Sequence, residues 1–124
     1  MDIKTVVARA RKAQAIFEKN FSQEQVDEIV KTVADTVYEN AHVLSKLAVE
    51  ETGMGVVEDK IAKCHGKSRG VWHDLKGKKS MGVLRVDEQT NLVEIGKAIG
   101  VVAGITPSTN PVVTPMSKIM FALK

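Results

Sequence analysis

Apolar residues recur at helical spacing through the first half of the chain. Ile3, Val6, Val7, Ala10, Ala13 and Phe17 form one stripe, with Arg9, Arg11, Lys12 and Lys19 off it. Ser22-Gln-Glu-Gln25 reads as a capping box, in which Ser22 accepts from the Gln25 amide while Gln25 reaches back. Behind it Val26, Ile29, Val30, Val33 and Val37 lie opposite Asp27, Glu28, Lys31, Asp35 and Glu39, which predicts a second amphipathic helix. Asn40 marks a break. A shorter helix is predicted from Ala41 to Glu51, with Val43, Leu44, Leu47 and Ala48 inward, and Gly53-Met-Gly55 stops it. A fourth helix carries Val57, Ile61, Cys64, Ser68, Trp72 and Leu75 on one face. Gly66 and Gly70 lie within it, each costing about 1 kcal/mol relative to Ala, and predict close approach of another backbone on that side.

After Gly77 the period shortens to two. Val83 to Val86 and Leu92 to Ile95 alternate around the turn-forming Asp87-Glu-Gln-Thr-Asn91, predicting an antiparallel ribbon. The run Ala98 to Ile105 does not alternate, and a continuous apolar strand is one covered on both faces, as in a parallel sheet. Thr106-Pro-Ser-Thr-Asn-Pro111 follows as a turn, and Val112, Met116, Ile119, Met120 and Leu123 resume helical spacing. Pro107, Pro111 and Pro115 fall at the turn and the helix entry, where a missing N–H does little harm. Four helices, a ribbon, one buried strand and one helix predict an α/β fold. One buried strand cannot make a parallel sheet, so the order predicts the opening section of a larger α/β domain.

A chain of 124 residues holds one domain at most. Its 18 basic and 15 acidic residues interleave, apart from Lys76-Gly-Lys-Lys79, which reads as a solvated loop. Nucleic-acid binding, which needs basic groups gathered on one face, is therefore not expected. Nor is a membrane partner: no apolar run approaches the roughly 18 residues of a span, and no signal-peptide pattern is present. With Cys64 alone, an intramolecular disulfide is impossible, no Cys-based metal site is expected, and a reducing cytoplasmic setting is the default.

Cys64 lies on an apolar helix face, where cysteine serves as a small buried hydrophobe, and the adjacent His65 points about 100° away around the helix. His42, His65 and His73 have no ligand spacing and read as surface residues; no metal site is predicted. The turn from Thr106 to Pro111 carries more chemistry. It leaves the carboxyl end of the predicted buried strand, where open α/β sheets bind ligands, and opens a helix whose N–H groups suit a phosphate or an oxyanion. Ser108 and Thr109 add hydroxyls, and Asn110 adds a neutral amide donor. By residue type alone, helix capping by Asn110 and Thr114 is the commoner role and the first expectation.

Three blocks shift that balance: Ala10-Arg-Lys-Ala-Gln14, Leu47-Ala-Val-Glu-Glu-Thr-Gly-Met-Gly55, and Ile99-Gly-Val-Val-Ala-Gly-Ile-Thr-Pro-Ser-Thr-Asn-Pro111 followed by Phe121-Ala-Leu-Lys124. In order and spacing they resemble the CoA-acylating branch of the aldehyde dehydrogenase superfamily, which includes acetylating acetaldehyde dehydrogenases and the N-terminal half of bifunctional aldehyde–alcohol dehydrogenases. The resemblance covers essentially the whole chain. Non-acylating members mostly have a Trp-Asn pair in this turn, whereas Ser-Thr-Asn-Pro is similar to the acylating type.

The resemblance implies that residues 1–124 are the N-terminal section of a Rossmann-like NAD-binding domain, with about 80–96 a ribbon of the oligomerisation element. Ile105, Thr106, Pro107, Ser108 and Thr109 would lie along NAD or NADP. Asn110 would be the oxyanion-hole amide for a thiohemiacetal of a small aldehyde, with coenzyme A as co-substrate and a homo-oligomer as the assembly. Aligned on its prolines with Trp-Asn members, the turn instead puts Thr109 in the amide's place, so the assignment to Asn110 follows the acylating type. The family's second glycine-rich motif, general-base glutamate and nucleophilic cysteine find no match here. This chain alone is therefore expected to be an inactive fragment of an oxidoreductase. The resemblance leaves a bacterial microcompartment open as a location. A non-catalytic module for oligomerisation or partner binding is the alternative reading.

Overall fold

The computed structural model describes residues 2–124 and places helices α1 at Ile3–Asn20, α2 at Gln23–Glu39, α3 at Ala41–Thr52, α4 at Val57–Leu75 and α5 at Val113–Leu123. Strands β1 (Gly82–Asp87) and β2 (Leu92–Gly96) lie between α4 and α5. Two compact units result, residues 2–25 with 77–103 and residues 26–76 with 104–124.

In the first unit α1 fully buries none of its residues: of its apolar stripe Val7, Ala10 and Phe17 are half-buried and Ile3, Val6 and Ala13 exposed, and Phe17 and Phe21 stack at 4.8 Å between ring centroids. The predicted capping box forms: the Ser22 backbone N–H donates to Gln25 Oε1 at 2.9 Å, and the Gln25 N–H to Ser22 Oγ at 3.4 Å. Gln23 Oε1 accepts from the Ser80 backbone N–H at 2.9 Å, tying the chain ahead of the ribbon to the start of α2. β1 and β2 pair antiparallel as expected, from Gly82 opposite Gly96 to Asp87 opposite Leu92, with an irregularity between Val83 and Arg85. Asp87 closes the turn, its Oδ1 accepting from the N–H groups of Gln89 (3.0 Å) and Thr90 (3.3 Å). Gly96 is needed for close approach, since a Cβ there would lie 2.5 Å from the Ser80 carbonyl oxygen.

The second unit holds the fully buried core. Val26 and Val30 of α2 and Met120 of α5 are completely covered, each burial stabilising the fold by about 1.5–3 kcal/mol. α4 buries the predicted face, with Cys64, Ser68 and Leu75 covered. Ser68 Oγ donates to the Cys64 carbonyl at 2.7 Å, so a hydroxyl is buried without a solvation debt. Gly53, in the left-handed region at φ 64°, ends α3 as expected.

Three expectations are corrected. In α3 Ala48 is inward as expected and Leu44 is half-buried, but Ala41 and Ser45 are buried in place of Val43 and Leu47, which are 60% and 54% exposed. The small residues win because α3 lies close against α4, with Ser45 Oγ 3.7 Å from Cys64 Sγ, and longer side chains would hold the helices apart. Gly66 and Gly70 face open space rather than another backbone: a Cβ at either would meet nothing within 4 Å. The stretch 98–105 is not a buried strand. It pairs with no strand among the described residues, and Ile99 and Ile105 are 91% and 88% exposed. A strand needs partners for its N–H and C=O groups and cover for its faces, and the described residues supply neither.

Candidate functional site

The predicted site turn folds locally. The Asn110 backbone N–H donates to the Pro107 carbonyl at 3.2 Å, closing Pro107-Ser-Thr-Asn110 into a β-turn. The Asn110 carbonyl then accepts from the Thr114 N–H at 3.4 Å, handing the chain on to α5. Ile105 through Thr109 are all exposed, and Asn110 is half-buried. The structure thus gathers the hydroxyls of Thr106, Ser108 and Thr109 and the Asn110 amide on one short segment. It does not place that segment at the end of a parallel sheet, since the described residues contain only the antiparallel pair.

The capping expectation for Asn110 and Thr114 is also corrected. α5 has Val112 at its N-cap position and no side-chain cap bond. The Asn110 side chain is turned the other way, toward α4. Its Oδ1 accepts from Lys63 Nζ at 3.1 Å, and its Nδ2 donates to Thr109 Oγ1 at 3.3 Å. One turn earlier on α4, Lys60 Nζ donates to the Thr109 carbonyl at 3.2 Å. Two ammonium groups on one flank of α4 therefore hold two successive residues of the turn. Lys63, Lys67, Asn110, Thr114, Ser117 and Phe121 contribute to a cleft of about 430 Å³, mixed in polarity and open to solvent. The uncapped start of α5 leaves backbone N–H groups near its rim, a setting favourable to an anion or an oxygen gaining negative charge.

Sequence reasoning missed Lys60 and Lys63. Their spacing of three puts them on one helix flank, but nothing local joins them to a turn 47 residues away. The cluster that is visible in the sequence, Lys76, Lys78 and Lys79, is exposed on the connecting loop as expected.

Cys64 is 2% exposed and packs against Ser45, as its helix face predicts. The cavity it shares with Asn110 measures about 10 Å³, room for no more than one water. A substrate carbonyl has no path to this sulfur. His42 and His73 are exposed; His65 is half-covered, its ring tilted over Tyr38 at 4.3 Å, while the Arg69 guanidinium stacks on Tyr38 at 4.2 Å. Among the described residues no three His, Cys, Asp or Glu side chains gather as a metal site, and no helix is long and apolar enough to cross a membrane.

A sequence profile of the aldehyde dehydrogenase family matches residues 1–124. The acetylating succinate-semialdehyde dehydrogenase of Clostridium kluyveri is 49% identical over 124 residues, which is 100% of this chain and 27% of that protein. The acylating sulfoacetaldehyde dehydrogenase of Bilophila wadsworthia is 46% identical over 117 residues, covering 93% of this chain and 25% of its own. The bifunctional aldehyde-alcohol dehydrogenase of Escherichia coli K12 is 38% identical over 123 residues, 99% of this chain and 14% of the larger protein. The crystal structure of an acetylating aldehyde dehydrogenase from Geobacillus thermoglucosidasius superposes with a TM-score of 0.92 at 40% identity, covering 97% of this chain and 26% of that one. The chain spans about a quarter of the length of the acylating relatives it matches.

Proposed function

Since this chain belongs to the aldehyde dehydrogenase family, we propose that it serves the CoA-acylating oxidation of a small aldehyde, supplying the oxyanion donor and part of the cofactor cradle. The relatives named above that are acetylating or acylating dehydrogenases support the acylating branch. The observation that carries the site assignment is the orientation of Asn110. Its amide is not spent on capping α5, and its donor end has one N–H beyond the bond to Thr109.

In this reading a thiolate supplied from outside residues 1–124 attacks the aldehyde carbon, forming a C–S bond as the carbonyl π pair moves onto oxygen. Asn110 Nδ2 donates to that oxygen, stabilising the charge where it develops without competing as a base. Cys64 takes no part, because its sulfur is buried behind a cavity too small for substrate. The exposed segment Ile105-Thr-Pro-Ser-Thr109 fits a dinucleotide: Ile105 offers apolar surface to a ring, and three hydroxyls suit ribose and phosphate oxygens. When bound, NAD or NADP supplies the hydride acceptor and coenzyme A the thiol that takes the acyl group. The ribbon, with Val86, Leu92, Val93 and Ile95 all more than half exposed, is assigned to contact with a second copy of the protein.

The test is Asn110→Ala in the full-length enzyme carrying this segment. Loss of an oxyanion donor is expected to lower kcat by about 10²- to 10³-fold. A loss below about tenfold would return Asn110 to a purely structural role.

A further inference from the structure

An asparagine side chain has two faces of opposite character, and density of charge alone does not decide which one meets a substrate. Here the neighbour decides. A lysine ammonium has three donors and no acceptor, so the atom of Asn110 that meets Lys63 Nζ at 3.1 Å must be the carbonyl oxygen. The NH₂ end is thereby fixed on the opposite side, where one of its protons engages Thr109 Oγ1. The Thr109 carbonyl is in turn held by Lys60, so both ends of this short network are anchored to α4 rather than to the turn itself.

We propose that Lys63 is the positioning residue of this site: it sets the direction of the Asn110 amide and strengthens it as a donor. The inference rests on the reading of Asn110 as the oxyanion donor. Without Lys63 the amide is free to rotate by half a turn, and its oxygen would then face a developing negative charge and repel it. With Lys63 in place the bond is charge-assisted, and withdrawal of electron density toward Oδ1 makes the remaining N–H a better donor. The cation also adds a favourable field at the oxyanion while staying one residue removed from it. Lys63 is itself exposed, and what sets it apart from other surface lysines is its partner, an amide oxygen of the turn.

Four forms of the full-length enzyme test this: Lys63→Met, Lys63→Arg, Asn110→Ala, and Lys63→Met combined with Asn110→Ala. Lys63→Met keeps the aliphatic stem and removes the donor, and is expected to lower kcat by about tenfold or more while KM for the aldehyde changes little, the signature of an interaction made in the transition state. Lys63→Arg, which also donates without accepting, should recover most of that loss. In the Asn110→Ala background Lys63→Met should have almost no further effect, because residues acting as one unit are not additive. A merely structural lysine would lower thermal stability and kcat equally in both backgrounds, and that additive result overturns the proposal. So does a Lys63→Met enzyme with unchanged kcat beside a crippled Asn110→Ala, which would leave the oxyanion assignment standing alone. An active Asn110→Ala enzyme removes the assignment and the positioning role together.

Discussion

Asn110 and Cys64 line the same small cavity, yet their chemical prospects differ because of what each touches. Cys64 is closed in by Ser45 and by the backbone of its own helix, so it is a packing residue with a thiol for volume. Cys64→Ser in the full-length enzyme is therefore expected to leave kcat within about twofold. It should cost about 1–3 kcal/mol of stability if the new hydroxyl lacks a partner, read from the midpoint of urea unfolding. Abolished turnover in a folded Cys64→Ser protein would overturn this. The role of Cys64 was legible from its place on an apolar stripe. The orientation of Asn110 was not, because it is set by Lys63, and no local pattern couples residues so far apart.

The elements divide by how local their causes are. The start of α2 could be read from Ser22 and Gln25 because the whole interaction spans four residues. In α3 Ala48 is inward as its spacing predicts, but hydrophobicity favours Val43 and Leu47 where close packing on α4 selects Ser45, and Ala41 is buried as well. The spacing of those small residues was a visible signal that a ranking by hydrophobicity discards. The ribbon is governed by its turn. The N–H groups of Thr90 and Gln89, with the Arg85 guanidinium at 2.9 Å, favour the charged form of Asp87 and hold its carboxyl below the ordinary value of 3.8. A carboxyl depressed on folding stabilises the ribbon fully above that ordinary value, and the contribution is lost as pH falls through the lower, folded value. Amide exchange in β1 and β2, compared with that of α4, should accelerate below about pH 3.8 and do so less in Asp87→Ala, where the contribution is already gone. Equal pH sensitivity in both proteins would show that Asp87 does not pin the turn.

At the scale of the whole molecule, burial is uneven. Among the described residues every buried core residue lies in α2, α3, α4 or α5, while α1 and the ribbon leave apolar side chains in water. A two-stranded ribbon is marginal alone, and the proposed contact with a second copy would cover its exposed valines, leucine and isoleucine. Charge introduced there, as in Val86→Lys with Val93→Lys, is expected to reduce the full-length enzyme to smaller species in light scattering. An unchanged mass would overturn the proposed contact through the ribbon. The broad class and the order of helices, ribbon and final helix were legible because each element carries its own periodicity. The segment 98–105 was not, because its composition describes the surroundings a strand requires and not those that the described residues provide.

That segment has a consequence for handling the protein in a cell. Ile99-Gly-Val-Val-Ala-Gly-Ile105 is uncharged, its two isoleucines stand almost uncovered and its two valines are nearly half exposed, and it pairs with no strand among the described residues. An unsatisfied adhesive strip of this kind will join whichever backbone reaches it first. Residues 1–124 expressed by themselves are thus expected to aggregate in competition with folding, read as the share of the chain found in the insoluble fraction.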